Sequence, residues 1–138
     1  MYINFLAVFL AGGVSLFLAW AWYSNFLFGR QWRALSGLPD EYHQQMATDK
    51  KMMAQTMLIY FVGLVLMAGV LARVLFYMGA YGVMDGITTA FWMWIGFVAP
   101  CMLGMKLWER KTWAYYFINV GYVLLALVVS GVILMLWH

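Results

Sequence analysis

Four long apolar runs dominate this sequence and leave little chain for anything else. A helix that crosses a bilayer needs about 20 mostly apolar residues, and four stretches satisfy that requirement, at about 3–28, 53–78, 86–108 and 113–137. Because each run is continuous and does not alternate between apolar and polar residues, the pattern favours helices over the strands of a membrane β-barrel. We therefore predict an all-α membrane protein in which four transmembrane helices form a compact bundle.

The composition supports a single membrane domain. Charged residues make up 9% of the 138 residues, against roughly a quarter in soluble proteins. Since the four runs account for nearly the whole chain, we predict one transmembrane domain over 1–138 and no separate soluble domain. The N-terminus lacks the basic segment of a secretory signal, so the first run is expected to stay as a helix. Cys101 is the only cysteine, which excludes an intrachain disulfide.

The distribution of basic residues predicts the orientation in the membrane. All but one of the eight Lys and Arg residues lie in the stretches 29–52 and 106–111, and only Arg73 belongs to the opposite side. Loops rich in Lys and Arg stay in the cytoplasm. We therefore expect a multi-pass protein of the bacterial cytoplasmic (inner) membrane, with both termini on the periplasmic, extracytoplasmic side. These loops explain the net charge of +3, so nucleic-acid binding has no support.

The loop 29–52 follows an aromatic stretch, WAWYSNFLFGRQW, at 20–32. Trp and Tyr favour the membrane interface and Arg favours its cytoplasmic side, so we interpret this stretch as the exit of the first helix from the membrane. Pro39, followed by Asp40 and Glu41, is typical of a helix start. We expect a short amphipathic helix in the loop, or an extension of the second transmembrane helix.

Small residues recur at every fourth position of the first helix. They form one smooth face that lets a second helix approach closely, and they are Ala7, Ala11, Ser15 and Ala19. We expect this face to pack inside the bundle, and a contact between subunits is the alternative.

Asn119 is one of the few strongly polar residues at membrane depth, where an amide needs a partner. At about 1.5 Å of rise per residue, it lies about 9 Å inside the fourth helix. Tyr23, Ser24, Tyr60, Cys101 and Tyr116 share that depth, so we predict a polar and aromatic layer just inside the cytoplasmic face, roofed by Trp22 and Trp32.

Two interpretations of this layer stay open. In one, the polar groups satisfy each other and fix the register of four helices. In the other, the layer lines a small cytoplasm-facing pocket for an amphiphilic or aromatic ligand. The candidate ligand-binding residues are Trp22, Tyr23, Ser24, Tyr60, Tyr116, Asn119 and Tyr122.

The remaining charges near the helix ends have structural interpretations. Arg73 is close enough to the outer end of the second helix to snorkel to the headgroups. Asp85 is placed to cap the third helix, and we expect an Arg73–Asp85 ion pair. Glu109 is expected to pair with Lys106 or to bond the first amides of the fourth helix.

Pro100 lies inside the third apolar run. It is expected to kink the third helix.

Three stretches resemble the family labelled domain of unknown function 1761, and the resemblance covers essentially the whole chain. They are NFLA at 4–7, WYSNFLFGRQWRALSG at 22–37 and WERKTWAYYFINVGY at 108–122. The agreeing residues are Asn4, Phe5, Leu6, Ala7, Trp22, Tyr23, Ser24, Phe28, Gly29, Trp32, Gly37, Glu109, Arg110, Ile118, Asn119, Gly121 and Tyr122. Asn25 stands where the family carries proline. The resemblance implies a small four-helix membrane protein of bacterial or fungal type, and it carries no established activity.

These features favour a non-catalytic integral membrane protein: a scaffold, an accessory subunit or a self-associating bundle. Membrane lipid and a homo-oligomer are the expected partners. The alternatives are a small transporter or channel, or a binder of an amphiphilic ligand near Asn119.

The residues that could carry chemistry are few. His43 lies in a loop and His138 at the end of the sequence, and the acidic residues are scattered, so we predict no catalytic residue, no metal and no cofactor. Cation-coupled transport usually needs a carboxylate within the membrane, and no run has one in its middle.

Overall fold

A computed structural model describes residues 3–24 and 26–137. Asn25 and His138, which the sequence analysis named, lie outside the described residues. In chain order the elements are α1 Phe5–Trp22, α2 Gly29–Leu35, α3 Asp40–Thr48, α4 Lys50–Tyr77, α5 Val83–Met93, a π-helical segment Trp94–Val98, α6 Ala99–Leu107 and α7 Trp113–Leu136. Within the described ranges no strand is present.

Four spans are long and apolar enough to cross a membrane: Phe5–Trp22, Lys50–Tyr77, Val83–Leu107 and Trp113–Leu136. The predicted all-α membrane fold is confirmed. Below, the "basic end" of the bundle is the end where α1 and α6 finish, α4 and α7 begin, and the stretch 29–52 lies. The other end, which carries Arg73, is called the "opposite end".

The first span is shorter than the predicted run 3–28, because the backbone turns sharply after Trp22. In this turn the N–H of Phe28 donates to the Trp22 carbonyl at 3.0 Å and the N–H of Gly29 donates to the Ser24 carbonyl at 2.8 Å. A Cβ atom on Gly29 would lie 2.3 Å from the Tyr23 carbonyl oxygen, so only glycine fits here. The aromatic stretch therefore folds back over the bundle end instead of continuing the helix.

Side-chain caps fix where the other spans begin. Asp49 accepts the Met52 N–H at 3.1 Å, and α4 begins at Lys50 rather than at the predicted residue 53. Thr112 accepts the Tyr115 N–H at 3.1 Å at the start of α7. Such caps satisfy amides that have no partner within the helix. Asp49 also separates α3 from α4, so the loop contains two short helices that are distinct from the second transmembrane helix, which itself begins three residues earlier than predicted.

The predicted Arg73–Asp85 ion pair is absent from the part of the chain that the structure describes. The Asp85 carboxylate instead accepts the backbone N–H groups of Tyr81 at 2.8 Å and Gly82 at 3.4 Å. These amides lie within one turn of Asp85, whereas an ion pair would require the Arg73 side chain to reach Asp85 across a loop. Asp85 therefore caps the third span, which begins at Val83, three residues before the predicted start.

The predicted Lys106–Glu109 ion pair is also absent among the described residues. Lys106 places its Nζ 5.2 Å from the ring centroid of Trp113, over the aromatic face. The backbone N–H of Glu109 donates to the Gly104 carbonyl at 3.3 Å and helps to close α6. Lys106 thus contributes a cation–π contact between the end of α6 and the start of α7.

The small-residue face of α1 packs inside the chain, as expected. Ala7, Ala11 and Ser15 are fully buried and Ala19 is nearly so, and α1 contacts both α4 and α7. The Ser15 hydroxyl lies 3.2 Å from the Ser130 hydroxyl of α7. This face is occupied within the protomer, so the alternative of a contact between subunits through it is excluded.

The helices α5 and α7 approach each other closely through two glycines. A Cβ atom on Gly131 would lie 2.6 Å from the Gly86 carbonyl oxygen, and a Cβ on Gly86 would lie 2.6 Å from the Gly131 carbonyl oxygen. Small residues that let backbones touch are the main source of helix association in lipid, where burial from water provides no driving force. This crossing holds the third span against α7. Of the four spans, the third is the least buried.

A π-helical turn precedes Pro100, where the sequence predicted a kink. The Ala99 N–H donates to the Trp94 carbonyl, five residues back. Proline lacks an N–H and disturbs the preceding turn, and single π turns are one of the ways in which a helix accommodates such a disturbance. Trp94 then donates its indole N–H to the Val120 carbonyl at 2.8 Å, which ties this segment to α7.

We expect Gly131→Ala to destabilise the bundle by about 1–3 kcal/mol, because the new methyl group would overlap the Gly86 backbone. Gly63→Ala is the matched control, since a Cβ there has no atom within 4 Å and alanine favours helix. Thermal unfolding in mild detergent, followed by circular dichroism, measures both. Equal stability of the two variants would contradict the close approach.

Candidate functional site

A cavity of about 480 Å³ lies at the basic end of the bundle. Its walls come from the end of α1, the start of α4 and the start of α7, and its roof comes from α2 and α3. The lining residues are Leu16, Ala19, Trp20, Tyr23, Trp32, Met46, Met53, Thr56, Met57, Tyr60, Tyr115 and Asn119. The cavity thus occupies the depth at which the sequence predicted a polar and aromatic layer.

Asn119 has its hydrogen bonds satisfied by the protein at the edge of this cavity. Its Oδ1 accepts the Tyr23 hydroxyl at 2.7 Å. Its Nδ2 donates to the Tyr115 carbonyl at 3.0 Å and lies 3.8 Å from the Met105 sulfur. With 9% of its surface exposed, the amide joins α1 to α7, which agrees with the first interpretation of the layer. The same two side chains also line a cavity, as the second interpretation requires.

Aromatic rings hold the roof over the cavity. The Trp32 ring of α2 meets Tyr23 edge-on at 5.4 Å between centroids, and it meets His43 of α3 at 5.5 Å. A His43 ring nitrogen lies 3.2 Å from the Ser36 hydroxyl. Lys111 donates to the Ser36 carbonyl, which fastens the α2–α3 connection to the start of α7. The loop 29–52 is therefore a packed cover and not a free linker.

Tyr60 closes the side of the cavity that α4 provides. Its ring lies 6.4 Å from that of Tyr122 between centroids, and Tyr122 in turn lies 5.7 Å from Tyr23. Three methionines complete the walls and roof: Met46, Met53 and Met57. Methionine is unbranched and polarisable, and it adapts its shape to an irregular occupant. The walls are therefore adaptable, whereas the Tyr23–Asn119 pair is fixed.

The chemistry available in the cavity is hydrogen bonding and aromatic contact. Its polar side-chain groups are four hydroxyls, one amide and two indole N–H groups, and none of the lining residues named above carries a formal charge. These groups belong to Tyr23, Thr56, Tyr60, Tyr115, Asn119, Trp20 and Trp32. Across the described chain, no group of three or more His, Cys, Asp or Glu residues is placed to hold a metal ion.

Four of the predicted ligand-binding residues lie outside the cavity lining: three of them connect helices, and Ser24 bonds the last turn of α1. Trp22 donates its indole N–H to the Ile118 carbonyl at 2.9 Å, and Ser24 donates to the Ala21 carbonyl at 2.7 Å. Tyr116 donates to the Ala99 carbonyl at 2.6 Å. Tyr122, almost fully buried, donates to the Ser15 carbonyl at 2.7 Å.

Cys101 shares the predicted depth but is exposed on the outside of the bundle. Depth along an axis was therefore a correct guide to the layer, but it did not show which face of each helix turns inward. Tyr23, Tyr60 and Asn119 are the three predicted site residues that line the cavity, and Trp32 forms its roof as expected.

Helical periodicity carries a signal for the lining residues that the sequence analysis missed. Residues three, four or seven positions apart share one face of a helix. Counted from Tyr23, this rule selects Leu16, Ala19 and Trp20, and counted from Tyr60 it selects Met53, Thr56 and Met57. Counted from Asn119, it selects both Tyr115, which lines the cavity, and Tyr116, which bonds α6, so the rule alone does not separate these two.

The Tyr23–Asn119 hydrogen bond is expected to couple the two residues energetically by about 1 kcal/mol, within the range measured between membrane helices. A double-mutant cycle with Tyr23→Phe, Asn119→Ala and the combined variant isolates this term from other effects of each change. Unfolding in detergent supplies the free energies. If the two single changes were strictly additive, the bond would not hold α1 to α7.

Comparison with known proteins places the chain in a family without a known activity. No curated protein and no solved structure matches it. One family model, described as "Protein of unknown function (DUF1761)", matches residues 6–135, nearly the whole chain. The match confirms the resemblance carried by the two aromatic stretches, and the chain belongs to this DUF1761 family.

Proposed function

We propose that the protein is a non-catalytic membrane protein that binds a neutral amphiphilic molecule in the cavity beside Asn119. The observation that carries this proposal is an uncharged, largely apolar space of about 480 Å³ with a few fixed polar groups. Binding sites for small molecules are typically about 300–1,000 Å³, mostly apolar, with few oriented polar groups. A fully packed core would leave no such space between α1, α4 and α7.

The lining residues favour a ligand with an aromatic or planar part and a hydrogen-bond donor. Trp20, Trp32 and Tyr115 contribute aromatic side chains to the lining. The Tyr23 hydroxyl directs its only hydrogen to Asn119, so its oxygen is left as an acceptor. A charged ligand would have to leave water without an opposite charge in the lining to meet it, which is unfavourable.

The exposed wall of the cavity favours entry from the lipid. Trp20 is 62% exposed and Tyr60 is 40% exposed, and both belong to apolar spans. An amphiphile dissolved in the bilayer would reach this side of the cavity without crossing water. The basic end, with all but one of the Lys and Arg residues, is proposed to face the cytoplasm, which places the cavity in the inner leaflet.

The groups that line the cavity support binding without catalysis. A general acid, base or nucleophile is typically His, a carboxylate, Lys or Cys, and the lining contains none of them. Self-association as a scaffold stays a prediction, and it would have to use a surface other than the small-residue face of α1, which is buried within the chain.

We expect 2-naphthol, a neutral aromatic alcohol, to bind saturably to the protein in nanodiscs. Met57→Trp fills the cavity from α4 and is expected to weaken binding about tenfold or more, because the ligand loses its space. Ile59→Trp is the matched control, since Ile59 lies two residues away on the same helix and is exposed outside the bundle. Equilibrium dialysis against empty nanodiscs measures binding above simple partitioning into lipid.

Two outcomes would contradict the proposal. One is binding to the wild-type protein that does not exceed the uptake by empty nanodiscs. The other is an equal affinity in Met57→Trp and Ile59→Trp, which would place the probe on the outer surface. Retained helicity and a single oligomeric species in both variants exclude misfolding as the cause of any loss.

A further inference from the structure

A second cavity, a groove of about 280 Å³, lies at the opposite end between the start of α1 and the second half of α4. Its lining is apolar except for one residue, and consists of Ile3, Phe5, Val8, Phe9, Val65, Leu66, Gly69, Val70 and Arg73. It shares no residue with the cavity beside Asn119. The groove is therefore a separate site, an apolar channel with a single cationic side chain at its rim.

Arg73 has no counter-charge in the described part of the chain. It is exposed on α4, and Asp85 directs its carboxylate to the amides of Tyr81 and Gly82. The first turn of α1, which forms the facing wall, contains no acidic residue. An arginine in this position attracts an anion from outside the protein, and its planar guanidinium binds phosphate oxygens through two parallel hydrogen bonds.

The direction of the groove matches that of a lipid molecule. Arg73 lies four residues before the end of α4, about 6 Å from it, and Val65 lies about 12 Å deeper towards the middle of the bundle. The cation therefore sits at headgroup level and the apolar part extends inwards. Phe5 and Phe9, both largely exposed, flank this apolar part. A soluble anion would use only the rim and leave the channel empty.

A second copy of the chain does not supply a free carboxylate to pair with Arg73. Such a partner in the same orientation would have to bring a carboxylate to Arg73 at the opposite end. The chain contains five acidic residues, and the structure places four of them, Asp40, Glu41, Asp49 and Glu109, at the basic end. The fifth is Asp85, which already caps α5.

We propose that this groove binds one anionic phospholipid, with the phosphate on Arg73 and an acyl chain along α4 between Phe5 and Val65. The site lies in the leaflet at the opposite end of the bundle and is independent of ligand binding beside Asn119. Either site can therefore fail experimentally without affecting the other.

Native mass spectrometry of the full chain in mild detergent tests this proposal, with equal amounts of dioleoyl-phosphatidylglycerol and dioleoyl-phosphatidylcholine. The measured quantity is the ratio of the two lipids in the complex with one bound lipid. We expect Arg73→Gln to lower the preference for phosphatidylglycerol about fivefold, the effect of one basic residue near an anionic headgroup. Arg30→Gln, an equal change of charge at an exposed residue of α2, is expected to leave the preference nearly unchanged.

A second pair of variants tests the groove without altering charge. Gly69→Leu places a side chain in the channel and is expected to lower phosphatidylglycerol binding as Arg73→Gln does. Gly63→Leu, on the same helix with open space around it, is expected to have no effect. The proposal is overturned if Arg73→Gln keeps the wild-type preference, if Arg30→Gln loses as much, if Gly69→Leu has no effect, or if inorganic phosphate displaces the lipid.

Discussion

Close contact between backbones and a few buried hydrogen bonds hold this bundle together, and every other feature depends on them. Inside a bilayer, apolar side chains gain nothing by leaving lipid for protein, so helices associate where small residues let them touch and where polar groups find partners. α7 meets both conditions on two sides. Gly131 touches Gly86 of α5, and Ser130 meets Ser15 of α1. The central position of α7 follows from these neighbouring residues.

The cavity at the basic end follows from a change in residue size along the same helices. Where α1 presents Ala7, Ala11 and Ser15 it packs tightly, and these residues are fully buried. Towards its end, larger rings replace the small residues, and Tyr23 spans the gap to α7 by a hydrogen bond instead of by close packing. At this level a hydrogen bond joins α1 to α7, but the large side chains keep the two backbones apart. The roof of α2 and α3 then covers the space that remains.

The sequence predicted the parts of this structure that depend on length and depth. Hydropathy located four spans, and a constant rise per residue brought Tyr23 and Asn119 to one level, where they form a hydrogen bond. Orientation around each helix axis was missed, because a continuous apolar run has no polar face to show which side is lipid and which is protein. For this reason depth selected Tyr116, which bonds α6, where the cavity has Tyr115. The Arg73–Asp85 pair failed for another reason: Asp85 has backbone amides within one turn, and local partners win over distant ones.

The π turn at Trp94–Val98 has a consequence for how the third span can vary. Such a turn contains one residue more than a regular helix would use, so everything from Ala99 onwards is rotated by about 100° around the axis relative to an uninterrupted helix. That rotation brings the Ala99 carbonyl to Tyr116 and the Met105 sulfur to the amide of Asn119. Removing one residue here would turn a different row of side chains towards α7 while the apolar span stays long enough for the bilayer. The number of residues in this segment thus determines which side chains of the third span meet α7, including the sulfur that contacts Asn119.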